Sequence, residues 1–122
     1  AKLAGILLES AILDGGRLNG ESLVSETWVK QMLTPSARNP QFGLNLWLGS
    51  PEGTTERVYN PYTIKAFHSE PFAAADIAYI DGFGGQRVYI VPSRNLVIVR
   101  TGVSSTDWDD ARLPNAVIRA LR

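Results

Sequence analysis

The sequence predicts an α+β domain in which helices flank an antiparallel sheet. Apolar residues recur at helical spacing near both ends of the 122-residue chain, and alternating or wholly apolar runs lie between them. Two of these runs are joined by the four-residue turn PSRN, residues 92–95, as in an antiparallel hairpin. A chain of this length suits one domain with one core.

Two helices are predicted before the sheet. Residues 2–13 place apolar side chains on one helical face, and the pair Gly15-Gly16 ends the run. No capping residue precedes this helix, so we expect residues 1–122 to be a single partial domain cut from a longer chain. The second helix begins at the N-cap Ser25, has an acidic first turn and closes before Pro35.

Four strands and a terminal helix are predicted after residue 40. In the run FGLNLWLG, residues 42–49, leucines alternate with other residues, which is typical of a strand with one face better buried. Residues 50–75 hold three prolines and no sustained periodicity, which indicates a functional or disordered loop. The remaining strands cover residues 74–79, 87–91 and 96–101, and the final helix covers residues 113–121. Because the run LVIV in the last strand is apolar throughout, we expect that strand to be covered on both faces.

The composition excludes several classes of function. The 12 basic and 12 acidic side chains balance and are dispersed, so neither nucleic acid nor an acidic membrane surface is expected as a partner. There is no cysteine, which excludes disulfides, thiolate metal sites and thiol catalysis. No apolar run reaches the roughly 18 residues of a membrane span. We expect no metal and no other cofactor.

The glycine-rich stretch GFGGQ, residues 82–86, is the first candidate site. A phosphate site needs glycines that open a helix, whereas these open a strand, and no Gly-Lys-Ser/Thr follows. An oxyanion site is chemically sounder, because backbone N–H groups at a rigid strand edge stabilise charge on a carbonyl oxygen and glycine clears the approach. The alternative is a bulged strand connection, which the residues alone favour.

Other candidate residues have a stronger structural interpretation. His68 is the only histidine, and without a Gly-x-Ser-x-Gly elbow it is expected on a surface loop. The run DWDD, residues 107–110, lacks the glycine and glutamate of a calcium loop and is expected to stabilise the following helix N-terminus. Three aromatic residues could form a substrate wall: Trp47, Tyr59 and Tyr62. Of these, Trp47 is expected to pack between sheet and helix. Three arginines are expected on a solvated rim: Arg87, Arg94 and Arg100.

Three segments together resemble the C-terminal third of the penicillin-recognising serine hydrolases, nearest the class C β-lactamase-like esterases and amidases. These segments are LLESAILDGGRLNGESLVSETWVKQMLTPS, FGLNLWLG and GFGGQRVYIVPSRNLVIVRTG. They cover nearly the whole chain in the family's order, and residues 82–102 are the most specific part. The resemblance implies the C-terminal portion of a β-lactamase/transpeptidase-like fold.

The resemblance places one of the family's three motifs in this chain. In the family, a Ser-x-x-Lys supplies nucleophile and base, a Tyr-x-Asn or Tyr-x-Ser supplies a second proton carrier, and a Lys-Thr-Gly-like triplet lies on a sheet-edge strand. Residues 80–82, Ile-Asp-Gly, match the triplet, which implies a catalytic position for Gly82 and an oxyanion donor in the backbone N–H of Phe83. The implied substrate-binding residues are Asp81, Gly84, Gly85, Gln86, Tyr59 and Tyr62. Because the triplet lacks lysine and threonine, efficient β-lactam hydrolysis is not expected.

The first two motifs are absent from the 122 residues. The resemblance therefore implies a segment of a serine hydrolase that cleaves an ester or amide through an acyl-enzyme, inactive without the N-terminal part of the same domain. It also favours a periplasmic or secreted protein. The alternative is a non-catalytic binding or structural module that keeps the sheet without its chemistry. Bared sheet edges lead us to expect that the isolated chain self-associates, and Asp81 is expected to point away from the oxyanion site.

Overall fold

A computed structural model of the chain describes residues 10–49, 68–105 and 108–121. A helical turn over residues 10–13 precedes the elements β1 (Arg17–Leu18), β2 (Glu21–Ser22), α1 (Glu26–Met32), β3 (Trp47–Leu48), β4 (Ala78–Gly82), β5 (Gln86–Val91), β6 (Leu96–Arg100) and α2 (Arg112–Ala120). Two short 3₁₀ turns, Phe83–Gly85 and Pro92–Arg94, join β4 to β5 and β5 to β6. Most of the first predicted helix and of the predicted loop, with Tyr59 and Tyr62, lies outside the described residues.

Four strands form one antiparallel sheet in the order β3-β4-β5-β6, and β1 pairs with β2 in a separate two-stranded ribbon. At the first turn of the sheet, Gly82 lies opposite Gln86. At the second turn, Val91 lies opposite Leu96, so the hairpin predicted across residues 92–95 is confirmed. The antiparallel sheet of an α+β fold is confirmed as well.

Apolar side chains are buried on both faces of the sheet. Alternate residues of a strand face opposite sides, so Ala78 and Ile90 join one cluster while Tyr79 and Tyr89 join the other. The first cluster, between the sheet and α1, comprises Ile12, Val29, Met32, Leu46, Leu48, Ala78 and Ile90. The second, between the sheet and α2, comprises Ala74, Ile77, Tyr79, Tyr89, Val91, Ile98 and Ile118. Helices therefore flank the sheet, and each large buried side chain stabilises the fold by about 1.5–3 kcal/mol.

The starts of both helices follow from local sequence. Ser25 caps α1, because its hydroxyl accepts a hydrogen bond at 3.2 Å from the backbone N–H of Trp28, which confirms the predicted N-cap. Just before α2, the Asp109 carboxylate accepts a hydrogen bond at 3.1 Å from the N–H of Ala111, so an acidic group does stand at this helix N-terminus. None of the helices in the described ranges has the length and apolar character of a membrane span.

The predicted strand over residues 42–49 is wrong in its first half. The chain turns there, since the Gly43 N–H donates to the Leu46 carbonyl at 2.9 Å and Asn45 has a φ of 60°. Only Trp47–Leu48 pair with β4. The strand predicted over residues 74–79 begins instead at residue 78, because the chain turns just before it: the Ile77 N–H donates to the Ala74 carbonyl at 3.4 Å.

The apolar run of β6 is covered on one face, which corrects the prediction of burial on both. Ile98 is buried in the second cluster, whereas Val99 keeps 48% of its surface exposed. β6 is the last strand in the sheet order, and among the described residues the first cluster takes no side chain from it. The layer that contains α1 therefore does not extend over β6.

Candidate functional site

Residues 82–86 form the tip of the hairpin between β4 and β5. Gly82 pairs with Gln86, and the 3₁₀ turn Phe83–Gly85 connects them. Gly84 and Gly85 have φ values of 69° and 79°, in the left-handed region that side chains disfavour. The turn conformation alone therefore requires glycine at two of the predicted site positions. This agrees with the alternative interpretation, a connection between two strands.

Close packing is a second reason for these glycines. A Cβ on Gly84 would collide with the Ser104 hydroxyl, and a Cβ on Gly85 would lie 3.1 Å from the Trp108 Cβ. The N–H of Ser105 also donates to the Gly84 carbonyl at 2.9 Å. The segment that follows β6 therefore packs directly against the turn.

Phe83 is the exposed residue of the turn. Its exposed fraction is 89%, whereas Gly85 is buried. The side chain of Gln86, at the other side of the turn, is engaged within the protein: its amide nitrogen donates to the Gly102 carbonyl at 2.8 Å and its oxygen accepts from the Gly102 N–H at 3.0 Å. The residue predicted to carry the oxyanion donor thus lies at an exposed tip, and the predicted substrate-binding Gln86 anchors β5 to the chain after β6.

Arg87 is buried on the α2 side of the hairpin, which corrects its predicted place on a solvated rim. It is 6% exposed, and its Nε donates to Asp110 Oδ1 at 2.6 Å. Its Nη1 lies 2.5 Å from Asp81 Oδ1 and donates to the carbonyls of Gly82 and Gln86, each at 2.9 Å. The alternation of β5 turns this side chain toward the α2 layer, where two carboxylates contact it.

Arg100 braces the same turn from β6 and is half-buried rather than solvated. Its guanidinium carbon lies 4.5 Å from the centroid of the Trp108 ring, a cation–π contact. It donates to the Gly84 carbonyl at 3.2 Å and to the Val103 carbonyl at 2.9 Å. Of the three arginines, Arg94 alone is exposed as predicted.

His68 is buried, which corrects the prediction of a surface histidine. Its ring centroid lies 4.8 Å from that of Phe72, and its Nδ1 is 3.0 Å from the Glu70 carbonyl oxygen. The fully buried Asn115 of α2 fixes this segment, because its side chain bonds to the backbone of residues 71–73 at 2.7 and 2.9 Å. Sequence reasoning missed Asn115, since a polar residue in a predicted helix is ordinarily assigned to the solvated face.

Two carboxylates also join this segment to α2. Asp109 accepts hydrogen bonds from the Ser69 hydroxyl at 2.5 Å and from its N–H at 3.2 Å. Burial opposes ionisation of Asp109, but these bonds and those from backbone N–H groups at the start of α2 outweigh it and hold its pKa below the ordinary value. Arg119 donates to both carboxylate oxygens of Glu70, at 2.7 and 3.2 Å, and so lowers the pKa of Glu70. Both carboxylates are therefore ionised at neutral pH.

The glycine hairpin brings together the predicted site residues Asp81, Gly82, Phe83, Gly84, Gly85 and Gln86. The predicted wall residue Trp47 packs against the second apolar cluster, as expected. A cavity of about 480 Å³, which sequence reasoning did not indicate, lies beside the start of α2 and is lined by Trp108, Asp109, Arg112, Leu113 and Ala116. Among the described residues, no group of three or more histidine or acidic side chains is placed to hold a metal ion.

The structure establishes a small α+β fold with an antiparallel sheet and a braced glycine hairpin. In comparisons with known proteins, no protein-family model matches the chain and no curated protein matches it significantly.

Proposed function

We propose that this chain is the C-terminal segment of a serine hydrolase of the β-lactamase-like esterase and amidase type. A serine from the N-terminal part of the same domain attacks the carbonyl carbon of an ester or amide, and the alcohol or amine leaves. Water then attacks the acyl-serine, which releases the acid and restores the serine. This chain supplies an oxyanion donor, the backbone N–H of Phe83, but no nucleophile or base, so alone it is inactive.

The accessible and braced position of Phe83 is the observation that carries the proposal. An oxyanion donor works because it is held in place before charge develops on the substrate, and one donor contributes about 2.7–4 kcal/mol. Phe83 lies at the exposed tip of the hairpin, while the carbonyls on either side of it, those of Gly82 and Gly84, accept hydrogen bonds from Arg87 and Arg100. Glycine at both neighbours leaves the approach clear of side chains.

The position of the triplet in the sheet also supports the proposal. β3 pairs with β4 through Ala78 and Tyr79. Within the described ranges, residues 80–82 have a strand partner only on the β5 side. As far as the described part of the chain shows, this end of β4 is a local sheet edge, the position that the resemblance implies for the triplet.

The placement of Asp81 suits the same role. An uncompensated carboxylate beside an oxyanion would oppose the developing negative charge. The Asp81 carboxylate instead contacts the Arg87 guanidinium at 2.5 Å, on the α2 side of the sheet. We therefore expect Asp81→Ala in the full-length protein to retain turnover, and a loss of turnover at unchanged stability would contradict this.

A non-catalytic binding or structural module is the second candidate. The observation that favours it is that turn conformation and packing account for Gly84 and Gly85 without any substrate. In that case the hairpin serves only to connect two strands. The two candidates differ in whether a reactive serine accompanies this segment.

The first experiment identifies that serine. The gene sequence upstream of Ala1 should contain a Ser-x-x-Lys followed by a Tyr-x-Asn or Tyr-x-Ser, and the full-length protein should react with a fluorophosphonate probe and hydrolyse a chromogenic short-chain ester. Replacement of the upstream motif serine by alanine should abolish both reactions. Absence of both motifs, or of any labelled serine, would favour the non-catalytic module.

A second experiment tests the donor itself. Phe83→Pro removes the backbone N–H, and proline suits this place because it opens a helical turn and the preceding Gly82 has an extended ψ of 154°. Phe83→Ala is the matched control, since it removes the same side chain and keeps the N–H. We expect kcat to fall about 10²–10³-fold in Phe83→Pro relative to Phe83→Ala. Equal kcat values in the two variants would exclude Phe83 as the donor.

A further inference from the structure

One nitrogen of Arg87 joins the two sides of the hairpin at its base. Nη1 donates to the carbonyls of Gly82 and Gln86, each at 2.9 Å, and these two residues pair directly across the hairpin. A charged donor bonds a carbonyl more strongly than a neutral one does, and burial keeps water from replacing it. Arg87 therefore holds the two strand ends together just below the turn.

The rest of the guanidinium is fixed by two carboxylates on different elements. Its Nε donates at 2.6 Å to Asp110, which is fully buried and lies just ahead of α2. Its Nη1 contacts Asp81 on β4 at 2.5 Å. Because both partners constrain the planar guanidinium, Arg87 fixes the hairpin relative to the start of α2.

Asp81 gives Arg87 a second task. Asp81 precedes Phe83 by two residues, and its negative charge would oppose an oxyanion at the Phe83 N–H if Arg87 did not offset it. We propose that Arg87 is a positioning residue for the oxyanion donor, which fixes the hairpin backbone and offsets the charge of Asp81. The inference rests on the proposed function, since it assigns a task within the same site.

The test measures kcat, KM and melting temperature in the full-length protein, with p-nitrophenyl acetate as the probe. Arg87→Gln removes the positive charge, and the double variant Arg87→Gln with Asp81→Asn removes the Asp81 charge as well and keeps Asp110. Arg119→Gln is the matched control, because Arg119 also pairs with a carboxylate, that of Glu70, but on the exposed surface of α2. Titration with a fluorophosphonate counts the active molecules, so loss of folded protein does not enter kcat.

We expect Arg87→Gln to lower kcat about ten- to a hundredfold, with KM changed less than about twofold. Adding Asp81→Asn should recover about fivefold of this loss, because it removes the carboxylate that lies two residues before the Phe83 N–H. Arg119→Gln should keep the wild-type kcat. A merely structural Arg87 would lower the melting temperature and the titrated fraction but leave kcat for each titrated site at the wild-type value, and Asp81→Asn would change no kcat.

Where Arg87→Gln does not fold, Arg87→Lys decides. Lysine keeps the charge but cannot reach two carbonyls and two carboxylates at once, so kcat for each titrated site should fall at least about fivefold. A wild-type kcat in the folded Arg87 variant, or no recovery in the double variant, overturns the inference and leaves the proposed function standing. A wild-type protein that labels no serine and hydrolyses no ester overturns the proposed function, and the inference with it.

Discussion

The two turns that flank β5 share a backbone shape and differ in their surroundings. Both are 3₁₀ turns with left-handed residues: Gly84 and Gly85 in the first, and Asn95, with a φ of 48°, at the end of the second. The second is closed by one exposed side chain, since Asp76 accepts hydrogen bonds from the Ser93 N–H at 2.6 Å and hydroxyl at 2.8 Å.

The first turn is held far more extensively. The buried Arg87, the half-buried Arg100 and the side chain of Gln86 all bond to the backbone of this hairpin or of the segment against it. Burying charged groups is costly even when they are paired. Because no buried charged group from the described ranges bonds to the second turn, closure alone does not account for the groups at the first. The difference indicates that the buried groups fix the position of the first turn, beyond closing the hairpin.

The largest effect that separates the two turns should come from Arg87→Met. This variant leaves Asp110 buried beside an apolar side chain, and loss of one partner of a buried ion pair costs about 3–5 kcal/mol. Urea unfolding of the full-length protein measures the change. Arg119→Met, which breaks an exposed pair, should cost at most about 1 kcal/mol. Similar losses in the two variants would show that burial of the Arg87 network does not contribute.

Gly85→Ala should have the next largest effect, a loss of about 3 kcal/mol in the free energy of unfolding. The new Cβ would meet both a positive φ and the Trp108 side chain at 3.1 Å. Gly20→Ala is the control for conformation alone, since Gly20 has a φ of 85° and nothing within 4 Å of the added carbon. It should lose about 1 kcal/mol. If the two losses are equal, packing against Trp108 adds nothing at the first turn.

Ser93→Ala tests the second turn and should cost about 0.5–1.5 kcal/mol. It removes the hydroxyl that donates to Asp76 and keeps the backbone N–H that donates to the other carboxylate oxygen. Asn95→Gly, which keeps the left-handed conformation, should be nearly neutral. A loss in Ser93→Ala as large as that in Arg87→Met would remove the contrast between the turns.

The smallest expected effect is on the stability of the protein in acid, and it should not differ between the two turns. The folded pKa of Asp109 lies below the ordinary 3.8, so its hydrogen bonds stabilise the protein above pH 3.8 and this contribution is lost as the pH falls through the lower folded value. In Asp109→Asn the melting temperature should therefore fall less over that interval than in wild type. Gly85→Ala should keep the wild-type acid profile, and a change there would link the first turn to Asp109.

Features set by neighbouring residues were predictable from the sequence. The hairpin across residues 92–95 follows from two apolar runs around a turn, and the start of α1 follows from Ser25. In residues 42–46 the alternation of leucines with other residues predicted a strand, but Gly43 and Asn45 form a turn there. There, local turn chemistry prevails over periodicity.

Features set by distant partners were not predictable. Arg87 is buried because its guanidinium pairs with the carboxylate of Asp110, 23 residues away. Asn115 is buried because its side chain bonds to the backbone of residues 71–73. The sequence shows these residue types but not which of them meet. The glycine hairpin was predicted as a site only through the resemblance, because its residues alone favour a connection between strands.

The packing of Trp108 makes the hairpin accessible to spectroscopy. Its indole lies under the Arg100 guanidinium, donates to the Tyr89 hydroxyl at 3.0 Å and packs beside Gly85. The fluorescence of a tryptophan in this position depends on the charge and hydration around its indole. With the other tryptophans replaced by phenylalanine, Trp28 and Trp47 among them, the fluorescence of this indole would report any movement of the turn, for instance when a substrate analogue occupies the proposed oxyanion position.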